Sequence, residues 1–208
     1  MEQIVIEPAQ PREILEASVL LSRAFATNPI QLTVFQGRRR AIETSFRTML
    51  GRFPGQVLLA KESGQTIGVM RMVEWPRCQV SPLQILTVLP SVLNALRGTL
   101  PRVLRFNSIW AKHDPKQPHW HFGPIGVLPE RQGQGIGSQL LEHFCKHVDQ
   151  LGEAAYLETD KPENVRLYER FGFSVSGETP VFGVPTWFMW RPPTRGRSAV
   201  RTNIRGSQ

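Results

Sequence analysis

The hydrophobic positions of the 208-residue chain change period several times, and each change marks an element. Ile4, Val5 and Ile6 form a short β-rich run closed by Pro8, and from Pro11 to Thr27 the apolar residues Ile14, Leu15, Val19, Leu20, Ala24 and Phe25 recur at helical spacing. A strand followed by a helix is predicted. A second helix is predicted over Arg39 to Arg52. Val57 to Lys61 and Thr66 to Glu74 then flank Glu62-Ser63-Gly64-Gln65, the pattern of two antiparallel strands joined by a tight turn.

The second half is regular again. His119 to Val127 is strand-like, and Gln134 to Leu151 carries Ile136, Leu140, Leu141, Phe144, Cys145, Val148 and Leu151 along one helical face. Ala155 to Thr159 reads as a strand and Pro162 to Phe171 as a short helix opening on a proline that a first turn tolerates. Phe173 to Val181 with Thr186 to Trp190 predicts a closing β-hairpin. Between the halves, a proline-punctuated apolar stretch (Ser81 to Leu104) and the polar turn Lys112 to Pro118 predict a helical insertion and loop over about 77–118. The expectation is a single α/β (α+β) domain over 1–191, with no internal repeat.

Composition narrows the class. Hydrophobic residues are 40% and charged residues 20% of the chain, which suits a globular domain rather than a disordered one. The richest apolar stretch, Leu83 to Leu96, is broken by Pro90 and Asn94 and falls short of the roughly 18–20 residues a membrane helix needs. No cationic patch leads into an apolar run near Met1, and Cys78 and Cys145 do not make a disulfide framework. A cytoplasmic protein is expected, with no membrane partner.

The net charge of +8 would suggest nucleic acid, but its distribution argues otherwise. Arg191, Arg195, Arg197, Arg201 and Arg205 lie in the last 18 residues with no acid among them, and without these five the balance is 20 basic against 17 acidic residues. The segment 192–208, rich in Pro, Gly, Ser and Thr, reads as a basic, disordered tail rather than a nucleic-acid-binding arm. No His/Cys cluster has metal-ligand spacing, so no metal is expected.

The candidate chemistry begins at Gly126-Val127-Leu128-Pro129-Glu130-Arg131-Gln132-Gly133-Gln134-Gly135-Ile136-Gly137-Ser138, a strand end passing through a glycine-rich turn into a helix. Such a turn presents consecutive N–H groups and the positive end of a helix to a diphosphate. No Gly-Lys-Ser/Thr closes it as in a P-loop, and five residues, Leu128 to Gln132, separate strand from first glycine, too many for a Rossmann turn. Downstream, Tyr156-Leu157-Glu158-Thr159 leads to Asn164-Val165-Arg166-Leu167-Tyr168 and Gly172-Phe173.

This series resembles the GNAT acetyltransferase superfamily, and the order of the whole chain is similar to its puromycin N-acetyltransferase-like branch. The resemblance implies a twisted, mostly antiparallel sheet with two splayed central parallel strands flanked by helices, and acetyl-CoA as co-substrate. It places the cofactor on Ile125, Gly126, Val127, Gln132, Gly133, Gln134, Gly135, Ile136, Gly137, Ser138, Asn164 and Tyr168. The N–H of Val127 is implied to face the thioester oxygen, and Tyr168 to act as general acid toward the departing thiolate. A phenol near pKa 10 giving its proton to a thiolate near 8.5 is uphill by about 2 kcal/mol, so Tyr168 is expected chiefly to hydrogen-bond the sulfur.

Amine acetylation also needs a proton acceptor, because an alkylammonium of pKa about 10.4 is neutral in only about one part in 2,500 at pH 7. His121 stands where the histone-acetylating branch has its catalytic glutamate, and is the first candidate base. Glu158 and His119 follow, and strand alternation puts His119 on the same side as His121. The puromycin-like branch has apolar residues at both histidine positions. The acceptor site is expected from 25–35, 75–110 and 182–187, which hold several aromatics and few acids. The expected activity is direct transfer to a primary amine of a small molecule. The alternatives are acetylation of a protein lysine or amino terminus, and non-catalytic acyl-CoA sensing. A homodimer stays open.

Overall fold

Seven strands form one sheet in the computed structural model, which describes residues 3–194. The basic tail expected over 192–208 therefore lies outside the described residues from 195 onward. In chain order the elements are β1 (Val5–Pro8), α1 (Ile14–Ala24), α2 (Pro29–Phe35), α3 (Arg39–Arg52), β2 (Gln56–Glu62), β3 (Gln65–Glu74), α4 (Pro82–Leu96) and α5 (Leu100–His113). There follow β4 (Trp120–Val127), α6 (Ile136–Leu151), β5 (Ala155–Thr159), α7 (Pro162–Glu169), β6 (Ser174–Glu178) and β7 (Trp187–Arg191). The sheet order is β1-β2-β3-β4-β5-β7-β6.

Every neighbouring pair is antiparallel except β4 and β5. That parallel pair touches only at Trp120 with Ala155 and His121 with Tyr156, and beyond His121 the strands part. Pro124 has no N–H for a ladder, and the register of β4 against β3 slips between Met70 and Met72. The mostly antiparallel sheet with splayed central strands is thus present.

Period-two alternation covers both faces. On β2, Val57 and Leu59 join a core with α1, α2, α3 and the insertion, while Leu58 and Ala60 join a core with α6. Close approach of α1 to β4 depends on Gly126, where an added Cβ would lie 2.7 Å from Leu21 Cδ2 and 3.0 Å from Ala24 Cβ.

Two elements differ from expectation. The first helix stops at Ala24, and a separate α2 begins when Asn28 accepts a hydrogen bond from Gln31 N–H (2.9 Å) with Pro29 in the first turn. At seven residues it is too short to show a helical period. The insertion resolves into α4 and α5, with Ser81 and Gln84 forming a reciprocal cap at the start of α4. Among the described residues no helix is long and apolar enough to cross a membrane, and both cysteines are free.

Candidate active site

The loop after β4 is held open by its own side chains. Gln132 Nε2 donates to Val127 O (3.1 Å), and Arg131 donates to Gln134 Oε1 (2.9 Å) while pairing with Glu62 (2.7 Å). Gly133 and Gly135 take φ values of 78° and 81°, a conformation costing other residues roughly 1–2 kcal/mol. Among the described residues nothing lies within 4 Å of where a Cβ at either would stand, so the backbone is approachable. The first bond of α6 runs from Gln139 N–H to Gly135 O (3.0 Å), which leaves the amides of Ile136, Gly137 and Ser138 outside the helix ladder.

These amides border a cavity of about 940 Å³ that extends through the gap between β4 and β5. Ile125, Gly126, Val127, Gln132, Gly133, Gly135, Ile136, Gly137, Ser138, Asn164 and Tyr168 all line it. Gln134 does not; its side chain is occupied with Arg131 and the Glu130 carbonyl. Ile136 is 1% exposed and buries its side chain in the core, so only its backbone can serve a ligand. Leu128 N–H bonds Ile67 O (3.0 Å) on β3; since N–H groups alternate edges along a strand, that of Val127 turns to the edge β5 has left.

Across the gap, α7 presents Tyr168, its ring packed edgewise on Phe122 and Phe173. Burial, with the nearby charge of Asp160, pushes its phenol well above the usual range. Asn164 turns back to Thr159, donating to its hydroxyl (3.3 Å). Asp160 ties α2 to the end of β5 by accepting from Asn28 Nδ2 (2.9 Å) and Ile30 N–H (3.1 Å).

On the floor of the cavity the structure joins His121 and Glu158, whose Nε2 and Oε2 are 2.9 Å apart. Among the described residues, Glu158 Oε1 is buried with no hydrogen-bond partner. Beside them lies a cluster that spacing did not reveal: Cys78, Asp114, His119 and His121, with one ligand atom of each within 4.8 Å of the others and all but His119 on the cavity wall. Burial disfavours charge on both imidazoles. Glu158 and Cys78 nonetheless raise His121 to about 10, and Asp114 and Cys78 raise His119 to about 9. Burial works against the Asp114 carboxylate too, yet His119 and Gln79 hold it below its usual value.

The acceptor side needs two corrections. The segment 182–187 does not line the cavity, and Phe182 instead lies under Arg102 and Arg105 at 5.1 and 5.3 Å. Nor is the cavity poor in acids, because Asp114, Glu158, Asp160 and Glu163 enter it from elements outside the three expected segments. Its apolar wall comes from α4 and α5 through Leu89, Val92, Leu96 and Val103. Sequence reasoning also missed Arg71, a buried lining residue whose guanidinium donates to Pro54 O and whose pKa burial lowers to about 10. No local motif marks it.

Residues 26–173 match the model of the acetyltransferase (GNAT) family. A mycothiol acetyltransferase from Paenarthrobacter aurescens (strain TC1) is 38% identical over 71 residues, or 31% of this chain, and the chain spans only 22% of that relative's length. Among solved structures, a protein of Corynebacterium glutamicum ATCC 13032 described as histone acetyltransferase HPA2 and related acetyltransferase superposes with a TM-score of 0.71. It is 24% identical, with 95% of this chain and 100% of that one covered. The protein yncA of Salmonella typhimurium, solved with its cofactor acetyl-CoA, gives a TM-score of 0.58 at 14% identity, covering 94% and 96% of the two chains.

Proposed function

Because the chain belongs to the GNAT acetyltransferase family, we propose that it is an acetyl-CoA-dependent N-acetyltransferase acting on a primary amine of a small molecule in a ternary complex. The observation that carries this reading is the unladdered amide series of Gly135 to Ser138 opening onto the gap between β4 and β5. Acetyl-CoA would supply an acyl thioester there. Hydrogen bonds from such amides to a charged acceptor are worth roughly 1.5–3 kcal/mol each, enough for a few to anchor a diphosphate without a lysine.

Each remaining role falls to a residue of this chain. Val127 N–H stabilises negative charge developing on the thioester oxygen. Glu158, through its unpartnered Oε1, takes the proton that the ammonium must lose before its nitrogen can form the new C–N bond. His121 orients Glu158 from the other side, since its Nε2 is committed to Oε2, and so is a positioning group in this reading rather than the base. Tyr168 donates a hydrogen bond to the thiolate released when the C–S bond breaks. Glu158, Asp160 and Glu163 on the cavity wall favour a cationic acceptor, and the aliphatic wall from α4 and α5 favours one with an apolar body. The cavity wall also departs from the puromycin-like branch, through His121. We place the enzyme in the cytoplasm.

Calorimetry with CoA and acetyl-CoA, followed by thiol release across a panel of small amines, tests the proposal. Saturable heat and release of CoA only when an amine is present are expected. Binding without transfer to any amine would leave an acyl-CoA sensor, transfer confined to lysine peptides or amino termini would move the acceptor to protein, and no heat with either ligand would overturn the assignment.

A further inference from the structure

We propose that Cys78, Asp114, His119 and His121 form a zinc site that fastens the α4–α5 insertion to the central strand β4. His119 Nδ1 lies 2.8 Å from Gln117 O, and because a carbonyl can only accept, Nδ1 carries the proton. A metal ion would displace the second proton, which leaves Nε2 its lone pair; among the described residues that atom is buried without a hydrogen-bond partner, and it sits 3.4 Å from Asp114 Oδ1.

His121 repeats the arrangement with its nitrogens exchanged. Its Nε2–H donates to Glu158 Oε2, and its Nδ1 faces Asp114 Oδ1 at 3.8 Å. A histidine that gives one N–H to a carboxylate or carbonyl and aims its other nitrogen at a shared point is oriented as metal-ligating histidines are. Cys78 Sγ completes the group at 3.7 and 3.9 Å from the two Asp114 oxygens, and Gln79 Nε2 holds Oδ2 of the same carboxylate (2.8 Å).

The distances suit the ion. With Zn–N and Zn–O near 2.0–2.1 Å and Zn–S near 2.3 Å, tetrahedral geometry sets ligand atoms roughly 3.3–3.6 Å apart. Measured to the same Asp114 Oδ1, the two histidine nitrogens and Cys78 Sγ lie at 3.4, 3.8 and 3.9 Å, and all the ligand atoms lie within 4.8 Å of one another, so side-chain adjustments of about 1 Å or less bring the group into that range. One thiolate, two imidazoles and one carboxylate form a donor set of intermediate softness, which favours zinc over calcium or magnesium. All four ligands come from protein, the mark of a structural site, and the Cys78 thiol releases its proton on binding.

The placement gives the site a purpose. Cys78 precedes α4 and Asp114 follows α5, so the two ligands bracket the insertion, and His119 and His121 anchor both ends to the sheet. Zinc would fix the aliphatic wall of the cavity against the strand that carries Val127. Bound through Nδ1, His121 would keep its Nε2–H on Glu158.

Tagless protein purified with zinc present is expected to hold close to one zinc per chain by plasma mass spectrometry. After chelation, Co²⁺ should produce the visible bands of a tetrahedral site with a sulfur-to-metal band. Cys78→Ser should abolish the sulfur band and weaken zinc binding at least about tenfold, whereas Cys145→Ala should keep both. The chelated wild type should melt at higher temperature on adding Zn²⁺. Substoichiometric zinc with no tetrahedral cobalt spectrum in the wild type, or a sulfur band that survives in Cys78→Ser, overturns the proposal; the wild-type spectrum decides if the variant does not fold. None of these readouts involves CoA.

Discussion

Tyr168 illustrates how a site residue's environment selects among its chemistries. Removing its ring from water and setting Asp160 nearby raises the phenol, so ionisation is harder than the solution value suggests and hydrogen-bond donation is the role left to it. Losing one hydrogen bond to a charged sulfur costs roughly 1.5–3 kcal/mol. Tyr168→Phe should therefore lower kcat at least about tenfold while leaving the calorimetric Kd for CoA nearly unchanged. Wild-type turnover in that variant would remove the assignment. At this scale the sequence singled out Tyr168, Glu158 and His121 through their places in a series, and all three line the cavity. That His121 and Glu158 touch was not legible, because they sit on different strands, 37 positions apart, and meet only where β4 and β5 pair in parallel.

Elements with a strong period were legible nearly to the residue. The amphipathic face of α6 states its burial directly, the unbroken buried runs of β2 and β3 belong to strands covered on both faces, and α3 falls on its expected bounds. Packing between elements was less visible, as Gly126 shows. The sequence marks it as a strand glycine, but its reason is α1, whose Leu21 and Ala24 occupy the space a side chain would need. Overpacking of this kind costs roughly 1–3 kcal/mol. Gly126→Ala should lower Tm by several degrees in a thermal melt, and an unchanged Tm would show that α1 gives way freely. Because the shift is transmitted to the neighbouring Val127, CoA affinity should fall as well.

For the whole molecule, Arg191 closes the fold. Composition grouped it with the basic tail, yet it lies in β7, donates to both Asp149 oxygens (2.6 and 2.9 Å) and to Phe171 O (2.8 Å), and so joins the end of α6 to the sheet. The hydrogen bonds from Arg191 lower the Asp149 pKa against the opposing effect of burial. A carboxylate depressed in the folded state contributes stability that is full above its unfolded value, about 3.9, and is lost as pH falls through the folded one. The Asp149 side chain is 36% exposed, so screening keeps the contribution to about 1 kcal/mol or less. The Tm advantage of wild type over Asp149→Asn should be present at pH 6 and shrink as the pH is taken below about 4. A difference that stays constant through that range would assign the pair no role in acid sensitivity.

The chain alone determined the α/β character, the glycine loop that meets a helix N-terminus, and the series running from β4 through α7, because period, turn chemistry and motif order are local properties. Only the folded structure decided what the cavity presents to an acceptor and which groups stand behind it. Cys78, Asp114, His119 and His121 converge because β3, the insertion and β4 return to one place; alternation shows that the two histidines share a face, but side chains brought to them across two helices leave no spacing to read in advance.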